Sequence, residues 1–408
     1  MTMAKLLEYQ PFKAVYLVYS FGTFILVKIP AWFFSYVSPS RRPRPTWTIR
    51  RSLIIRSFQE LQELFTVKIH LQLSHRDPLQ EVLDSSLTDA KFVWLEPIPD
   101  DSPLFCGEIR RFADITGVKP AKIAGYWFLR RGSAWNGPNA QPGEKVVLHM
   151  HGGAFCIGTA HPSDMTANIS RGLLEYSGTL QRTFSVDFRL TASAPNPPAN
   201  PFPAAVLDSL AAYRYLVQDC GFEPKNVVFA GDSAGGNIAL ALVRHLIEND
   251  LSSLPPPRAL FLSSAWLDLM GSRDGPESSR VQNALSDIFS RRLPKGEFFA
   301  QYAITSLRGS LDLDVVKTNR YFSPAAVDAQ PPEGSTLFKG FPETYVTAGG
   351  AERFSDDSKA LVERMKADSV VVHEDFSPDA VHDFLIFNWH EPERTEVFKR
   401  VCSWIDSL

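Results

Sequence analysis

Gly231-Asp232-Ser233-Ala234-Gly235-Gly236 follows the apolar run Asn226 to Ala230 without a break and leads directly into the helical stretch Asn237-Ile-Ala-Leu-Ala-Leu-Val-Arg-His-Leu. Few folds accommodate such a junction. A buried strand must turn at the glycines and a helix must begin at once, so the chain carries a serine on a tight corner above a sheet edge. The glycines remove side chains that would collide there. The helix that starts at the serine aims unpaired backbone N–H groups at any negative charge forming nearby. The hexapeptide therefore marks Ser233 as a candidate nucleophile.

The surrounding pattern agrees with a sheet of that kind. Strands are expected at Ile123 to Leu129, Lys145 to Met150, Thr183 to Phe188, Asn226 to Ala230, Ala259 to Ser263, Thr344 to Ala348 and Val370 to Phe376. Helical patterns such as Ala204 to Cys220 and Asp356 to Ala367 lie between most of them. Apolar strands interleaved with amphipathic helices indicate an α/β fold, a mostly parallel central sheet covered on both faces. Ligands of such sheets bind beyond the carboxyl ends of the strands, where Ser233 falls. Residues from about 48 to 115 read as mixed helix and loop, with a helical opening at Ser52 to Val67.

At 408 residues and 44% hydrophobic content, the chain can bury one large catalytic domain with additional material. A net charge of −3 offers no electrostatic case for nucleic acid. Cys106, Cys156, Cys220 and Cys402 lie far apart, without metal-ligand spacing, so neither a zinc site nor a disulfide scaffold is indicated. One glycosylation sequon occurs, Asn168-Ile169-Ser170, a triplet that also arises by chance.

The first forty residues differ from the rest. Ala14 to Val37 is apolar apart from Lys28. Its length of about 24 residues gives roughly 36 Å as a helix, enough for a bilayer core of about 30 Å. Trp32, Phe33, Phe34 and Tyr36 crowd its far end, as at a membrane–water boundary. Pro30 is expected to kink or end the helix, leaving a shorter piece that dips into one leaflet, and Lys28 to snorkel. Burial against the protein body is the alternative. Arg41, Arg42, Arg44, Arg50, Arg51 and Arg56 follow, placing the C-terminal side toward the cytosol or against anionic headgroups. The chain thus divides into a membrane-anchor segment (1–40), a helical region (41–120) and a catalytic domain (121–408).

Two further features sit at strand ends. After Lys145 to Met150 comes His151-Gly152-Gly153-Ala154-Phe155. A glycine pair lets the backbone present bare N–H groups, and acyl transfer needs such donors for the oxyanion of its tetrahedral intermediate. Gly152, Gly153 and Ala154 form this candidate oxyanion loop, with the amides of Gly153, Ala154 and Ala234 as donors. His151 positions the loop. Serine also needs a base, and His382, in a loop after the last strand, is best placed of the nine histidines. Glu352 is the first carboxylate past the strand Thr344 to Ala348 and the candidate group for holding the imidazole tautomer. Asp356, at the expected helix start, is the reserve.

Taken together, the chain resembles the hormone-sensitive-lipase branch of the α/β-hydrolases, with its arylacetamide deacetylases, steryl acetyl hydrolases and microbial carboxylesterases. The likeness rests on His151 to Phe155, Val186-Asp187-Phe188-Arg189-Leu190, Pro201-Phe202-Pro203-Ala204, Gly231 to Gly236, Ser264 to Leu269 and Glu352 to Asp357, and covers roughly 120 to 408. It implies the α/β-hydrolase fold with a helical cap, formed by an insertion at about 278–332 with a contribution from 41–120, a serine nucleophile at Ser233, the base at His382, and no metal or cofactor. Ala154 replaces the family's third glycine, Glu352 its usual aspartate, and Thr-Ala-Ser-Ala-Pro its Ala-Pro-Glu. The deacetylase and steryl-ester members attach to endoplasmic-reticulum membranes, and the N-terminal segment implies the same here, single-pass or monotopic. The expected activity is hydrolysis of acetyl or short-acyl esters of a hydrophobic lipid or natural product. An amidase, thioesterase or acyltransferase with the same triad, or a binding protein without catalysis, are the alternatives. Phe298, Phe299, Tyr302, Tyr321 and Phe322 either line an apolar pocket or pack the cap.

Overall fold

The computed structural model describes residues 10–64, 81–289 and 298–408. In chain order it contains α1 (Phe12–Tyr36), α2 (Ile49–Gln62), β1 (Ala90–Leu95), α3 (Gly107–Thr116), β2 (Ile123–Leu129), β3 (Val146–Met150) and α4 (Ala167–Tyr176). Then come β4 (Arg182–Asp187), α5 (Ala204–Arg214), β5 (Val227–Asp232), α6 (Ala234–Glu248) and β6 (Ala259–Ser263). The insertion after β6 holds α7 (Ser279–Gln282), α8 (Phe298–Arg308) and α9 (Leu313–Thr318). The chain continues through β7 (Glu343–Gly349), α10 (Ser355–Ala367), β8 (Val372–Ser377) and α11 (Glu393–Ser407).

The strands form an eight-stranded sheet in the order β1-β2-β4-β3-β5-β6-β7-β8. Strand β2 runs antiparallel to both β1 and β4, and the other pairs are parallel. Both faces are covered because alternate side chains feed separate cores. Val146, Leu148 and Met150 of β3 join Val227 and Phe229 of β5 in one cluster. Val147, Val228 and Ala230 point into the other. This is why the central strands read as unbroken apolar runs.

Strand β1 departs from the sequence reading, which had only helix and loop there. It is an edge strand whose four middle residues are only half buried, so Lys91-Phe-Val-Trp-Leu95 lacks the dense apolar signature of an inner strand.

The N-terminal helix also departs from expectation. It does not stop at Pro30 but continues to Tyr36, preceded by a wide π-turn at Phe24–Lys28. A wider turn accommodates a residue that lacks an N–H and crowds the preceding carbonyls. None of its most apolar stretch is buried, and Val18, Leu26 and Phe34 are among its exposed side chains. The Lys28 ammonium pairs with Glu60 of α2.

Most of the following arginines are also engaged within the protein. Arg42 donates to the carbonyls of Tyr36 (2.8 Å) and Val37 (3.3 Å) and so caps the end of α1, and it bonds the Trp47 carbonyl at 2.7 Å. Arg44 donates to Gly350 O and Asn283 Oδ1, and Arg51 forks onto Glu393. Arg56 lies over the Trp32 ring. These contacts seat α1 and α2 against the catalytic body.

Candidate active site

Strand β5 ends at Asp232, and α6 begins at Ala234. Between them Ser233 adopts φ 50°, ψ −116°, a sharp corner that no regular element contains. A Cβ on Gly235 would strike the Met150 carbonyl, so only glycine lets α6 approach β3 this closely. Ser233 N donates to Ser263 O at 3.0 Å, and Trp266 N donates to Ser233 O at 2.9 Å, pinning the corner from β6 and the segment beyond it.

His382 lies in the loop after β8, and its Nε2 stands 3.0 Å from Ser233 Oγ. Phe289 and Phe354 flank the imidazole, with ring centroids 4.9 and 5.2 Å away. Glu352 follows β7 and is fully buried, with its Oε1 3.9 Å from His382 Nδ1. That separation is longer than a hydrogen bond, and both atoms lack another partner. Its Oε2 accepts from Gly349 N at 2.8 Å and Ser264 Oγ at 2.6 Å. Asp356, the reserve, is turned away: it accepts from Ser279 N at 2.7 Å and pairs with Lys359.

The candidate oxyanion loop carries three consecutive residues with positive φ, Gly153 (111°), Ala154 (51°) and Phe155 (64°). At Gly153 a Cβ would meet the Ile157 carbonyl, so glycine is required; Ala154 instead takes the ordinary left-handed conformation, at a cost of roughly 1–2 kcal/mol. Gly152 belongs to this loop as a structural member and not as a donor. Its N–H donates to Asp232 Oδ2 at 2.9 Å and is not available to an oxyanion. Asp232 Oδ1 in turn lies 2.8 Å from His149 Nε2, so a buried His149–Asp232 pair clamps the loop to β3 and β5.

His151 stacks on Phe188 with centroids 4.1 Å apart, and its Nδ1 donates to the Gly152 carbonyl at 2.7 Å. Burial lowers its pKa, so it stays neutral as a support for the loop. Thr191, in the stretch that replaces Ala-Pro-Glu, ties its N–H to Phe155 O at 2.9 Å.

Three side chains at the site have no counterpart in the sequence reading. Ser264 bridges the Glu352 carboxylate to the Asp383 amide. Asp287, buried in the insertion, accepts from His382 N at 3.1 Å and Arg353 N at 2.7 Å. Burial raises its carboxyl, while His382 pulls it down. Asp383 places Oδ2 3.2 Å from His382 Nε2. Its adjacency to His382 was visible in the sequence; the other two depend on contacts across the chain.

A cavity of about 480 Å³ opens onto Ser233, lined by Gly153, Ala154, Met165, Trp266, Ile288, Phe289, Phe299, Phe354 and Ile386, among others. Its size and apolar walls suit a small hydrophobic ligand. Of the aromatics expected in the cap, Phe299 lines this cavity. Tyr302 accepts from Asn196, Tyr321 bonds Glu248, and Phe322 packs on Phe202 and Phe112. The Phe298 side chain lies outside the described residues. Among the described residues no cluster of three or more His, Cys, Asp or Glu is arranged to hold a metal ion.

A family profile described as alpha/beta hydrolase fold matches residues 147–386, more than half of the chain. The chain belongs to the α/β-hydrolase fold family. This α/β-hydrolase is 28% identical over 259 residues to an acetyl-hydrolase of Streptomyces hygroscopicus, covering 63% of this chain and 73% of that one. An esterase of Acinetobacter venetianus is 27% identical over 266 residues, covering 65% and 75%. The crystal structure of a hormone-sensitive lipase from a metagenome library matches at 27% identity with a TM-score of 0.53, covering 70% of this α/β-hydrolase and 82% of that chain. A bacterial esterase of the hormone-sensitive-lipase family covers 93% and 97% with a TM-score of 0.55; at 22% identity it speaks to the fold alone. Together these likenesses group this α/β-hydrolase with the hormone-sensitive-lipase branch.

Proposed function

We propose that the chain is a serine carboxylester hydrolase using Ser233, His382 and Glu352, held at a membrane by α1 and acting on short-acyl esters of a hydrophobic alcohol. The observation that carries this reading is the 3.0 Å approach of His382 Nε2 to Ser233 Oγ at a strained strand-to-helix corner. His382 removes the serine proton as Oγ adds to the ester carbonyl, forming the C–O bond and an oxyanion. The amides of Gly153, Ala154 and Ala234 receive that charge. His382 then gives its proton to the departing alkoxide, and a water repeats the sequence on the acyl-enzyme to release the acid. Glu352 closes onto Nδ1 as the imidazole becomes positive; the 3.9 Å gap of the resting site shortens as the charge builds.

The relatives named acetyl-hydrolase and esterase support ester cleavage of small acyl groups. The apolar cavity of about 480 Å³ supports a hydrophobic substrate. The exposed apolar surface of α1 supports membrane attachment. Rates on matched p-nitrophenyl esters of two to twelve carbons, with the corresponding anilides and thioesters, test the reading. Fastest turnover on two- to four-carbon oxygen esters is expected; preference for the anilide or thioester, or no turnover with any, would refute it.

A further inference from the structure

His382 Nε2 faces two groups. Ser233 Oγ lies at 3.0 Å and Asp383 Oδ2 at 3.2 Å. Asp383 cannot easily turn away: its backbone sits in the left-handed region at φ 51°, ψ 35°, and its N–H is held by Ser264 Oγ at 3.1 Å. The side chain is buried, its Oδ1 has no hydrogen bond, and no lysine or arginine pairs with it among the described residues. Its one counter-charge is the imidazole.

We propose that Asp383 is a positioning residue that competes with Ser233 for His382 Nε2 and sets the pH at which the nucleophile is released. The proposal rests on the Ser233–His382 reading of the site. An imidazole nitrogen offers one in-plane position, either an N–H or a lone pair. When the His382–Asp383 pair holds one proton, Nε2 is occupied in either arrangement. An imidazolium N–H donates to the carboxylate, or a carboxyl O–H donates to the nitrogen. Only loss of that proton leaves a lone pair for the Ser233 hydroxyl.

The charges around the pair act in the same direction. Glu352, from the loop after β7, faces Nδ1 at 3.9 Å. Asp287, from the insertion, bonds the His382 amide, and Asp232, at the end of β5 and paired with His149, faces Asp383. Arg280 and Arg353 line the same cavity, but Arg280 is paired with Asp274, and Arg353 donates to the Arg280 carbonyl and, through its backbone, to Asp287. Burial by itself would lower the His382 pKa; Asp383 and then Glu352 overcome it and hold the imidazole well above 6.5. Burial pushes the Asp383 carboxyl up to about 7 against the pull of His382.

The test uses full-length protein in detergent micelles with Asp383→Gly, which tolerates the left-handed backbone, and Asp383→Asn, which preserves volume. Two profiles are recorded between pH 5 and 10: kcat/KM for p-nitrophenyl acetate, and the ¹⁵N chemical shifts of the His382 imidazole. In Asp383→Gly the acidic limb is expected to move toward acid by about one unit or more, so activity near pH 6.5 rises roughly tenfold relative to the alkaline plateau. The imidazole titration moves with it, and Asp383→Asn shifts in the same direction. A purely structural role would lower the plateau and leave the limb in place. Coincident limbs and titrations in all three folded proteins would overturn the proposal. If no protein turns over the ester, the hydrolase reading fails while the imidazole titration still decides the role of Asp383.

Discussion

Ser264 Oγ donates to Glu352 Oε2 at 2.6 Å and accepts the Asp383 amide at 3.1 Å, so one hydroxyl joins the acid loop to the histidine loop. Ser264 itself has φ 47° and donates its N–H to Thr347 O at 2.8 Å, which fixes the hydroxyl between β6 and β7. A hydrogen bond to a charged acceptor contributes about 1.5–3 kcal/mol. Ser264→Ala therefore lowers kcat roughly ten- to a hundredfold while KM moves little, as steady-state kinetics on a short-chain ester would show. An unchanged kcat would mean that Gly349 N holds the carboxylate unaided.

Glu352→Gln removes the negative charge while preserving shape. Loss of the group that fixes the tautomer and stabilises the imidazolium costs up to roughly 10⁴-fold in kcat, by analogy with the serine protease triad. If Asp287 carried that role instead, Asp287→Asn would show the larger loss. Because Asp287 reaches only the His382 backbone amide, the account expects the opposite ranking in a paired kinetic comparison.

The proposed oxyanion loop is held from below. Asp232→Ala releases the Gly152 N–H and leaves His149 without its 2.8 Å partner. Displacing the donors costs on the order of 10²–10³ in kcat, the magnitude seen when one oxyanion donor is removed. Unsatisfied buried groups also destabilise the fold by about 1–3 kcal/mol. A lower melting temperature accompanied by an unaltered kcat would show that the loop keeps its form without the clamp.

The proposed membrane attachment through α1 relies on apolar surface, since Lys28 and several of the following arginines bond within the protein. Full-length protein is expected to float with neutral phosphatidylcholine vesicles and to stay with them at 1 M salt, where screening reduces the Debye length to about 3 Å. Release by salt, or binding that requires anionic lipid, would assign the attachment to charge.

The sequence was most legible where the chemistry is local. The Ser233 corner and the His151 to Ala154 loop each occupy a few consecutive residues whose glycines are dictated by sterics, so composition alone betrays them. Inner strands were visible because both faces are apolar. Strand β1 was not, since its middle residues are half exposed at the edge. Asp287 and Ser264 reach His382 and Glu352 across 95 and 88 residues, and no spacing rule marks a contact of that kind. What anchors Gly152 was hidden for a related reason: its N–H is bound by a carboxylate 80 residues away. At Pro30, steric reasoning identified the stress correctly but not its relief in a π-turn.

The most direct measurement is peptide mapping by mass spectrometry after treatment of the full-length protein with a fluorophosphonate. One phosphonyl adduct is expected, on Ser233, formed rapidly in the wild type, at least about 10³-fold more slowly in His382→Ala and absent from Ser233→Ala. An adduct on another residue, or equal labelling rates with and without the His382 imidazole, would contradict it.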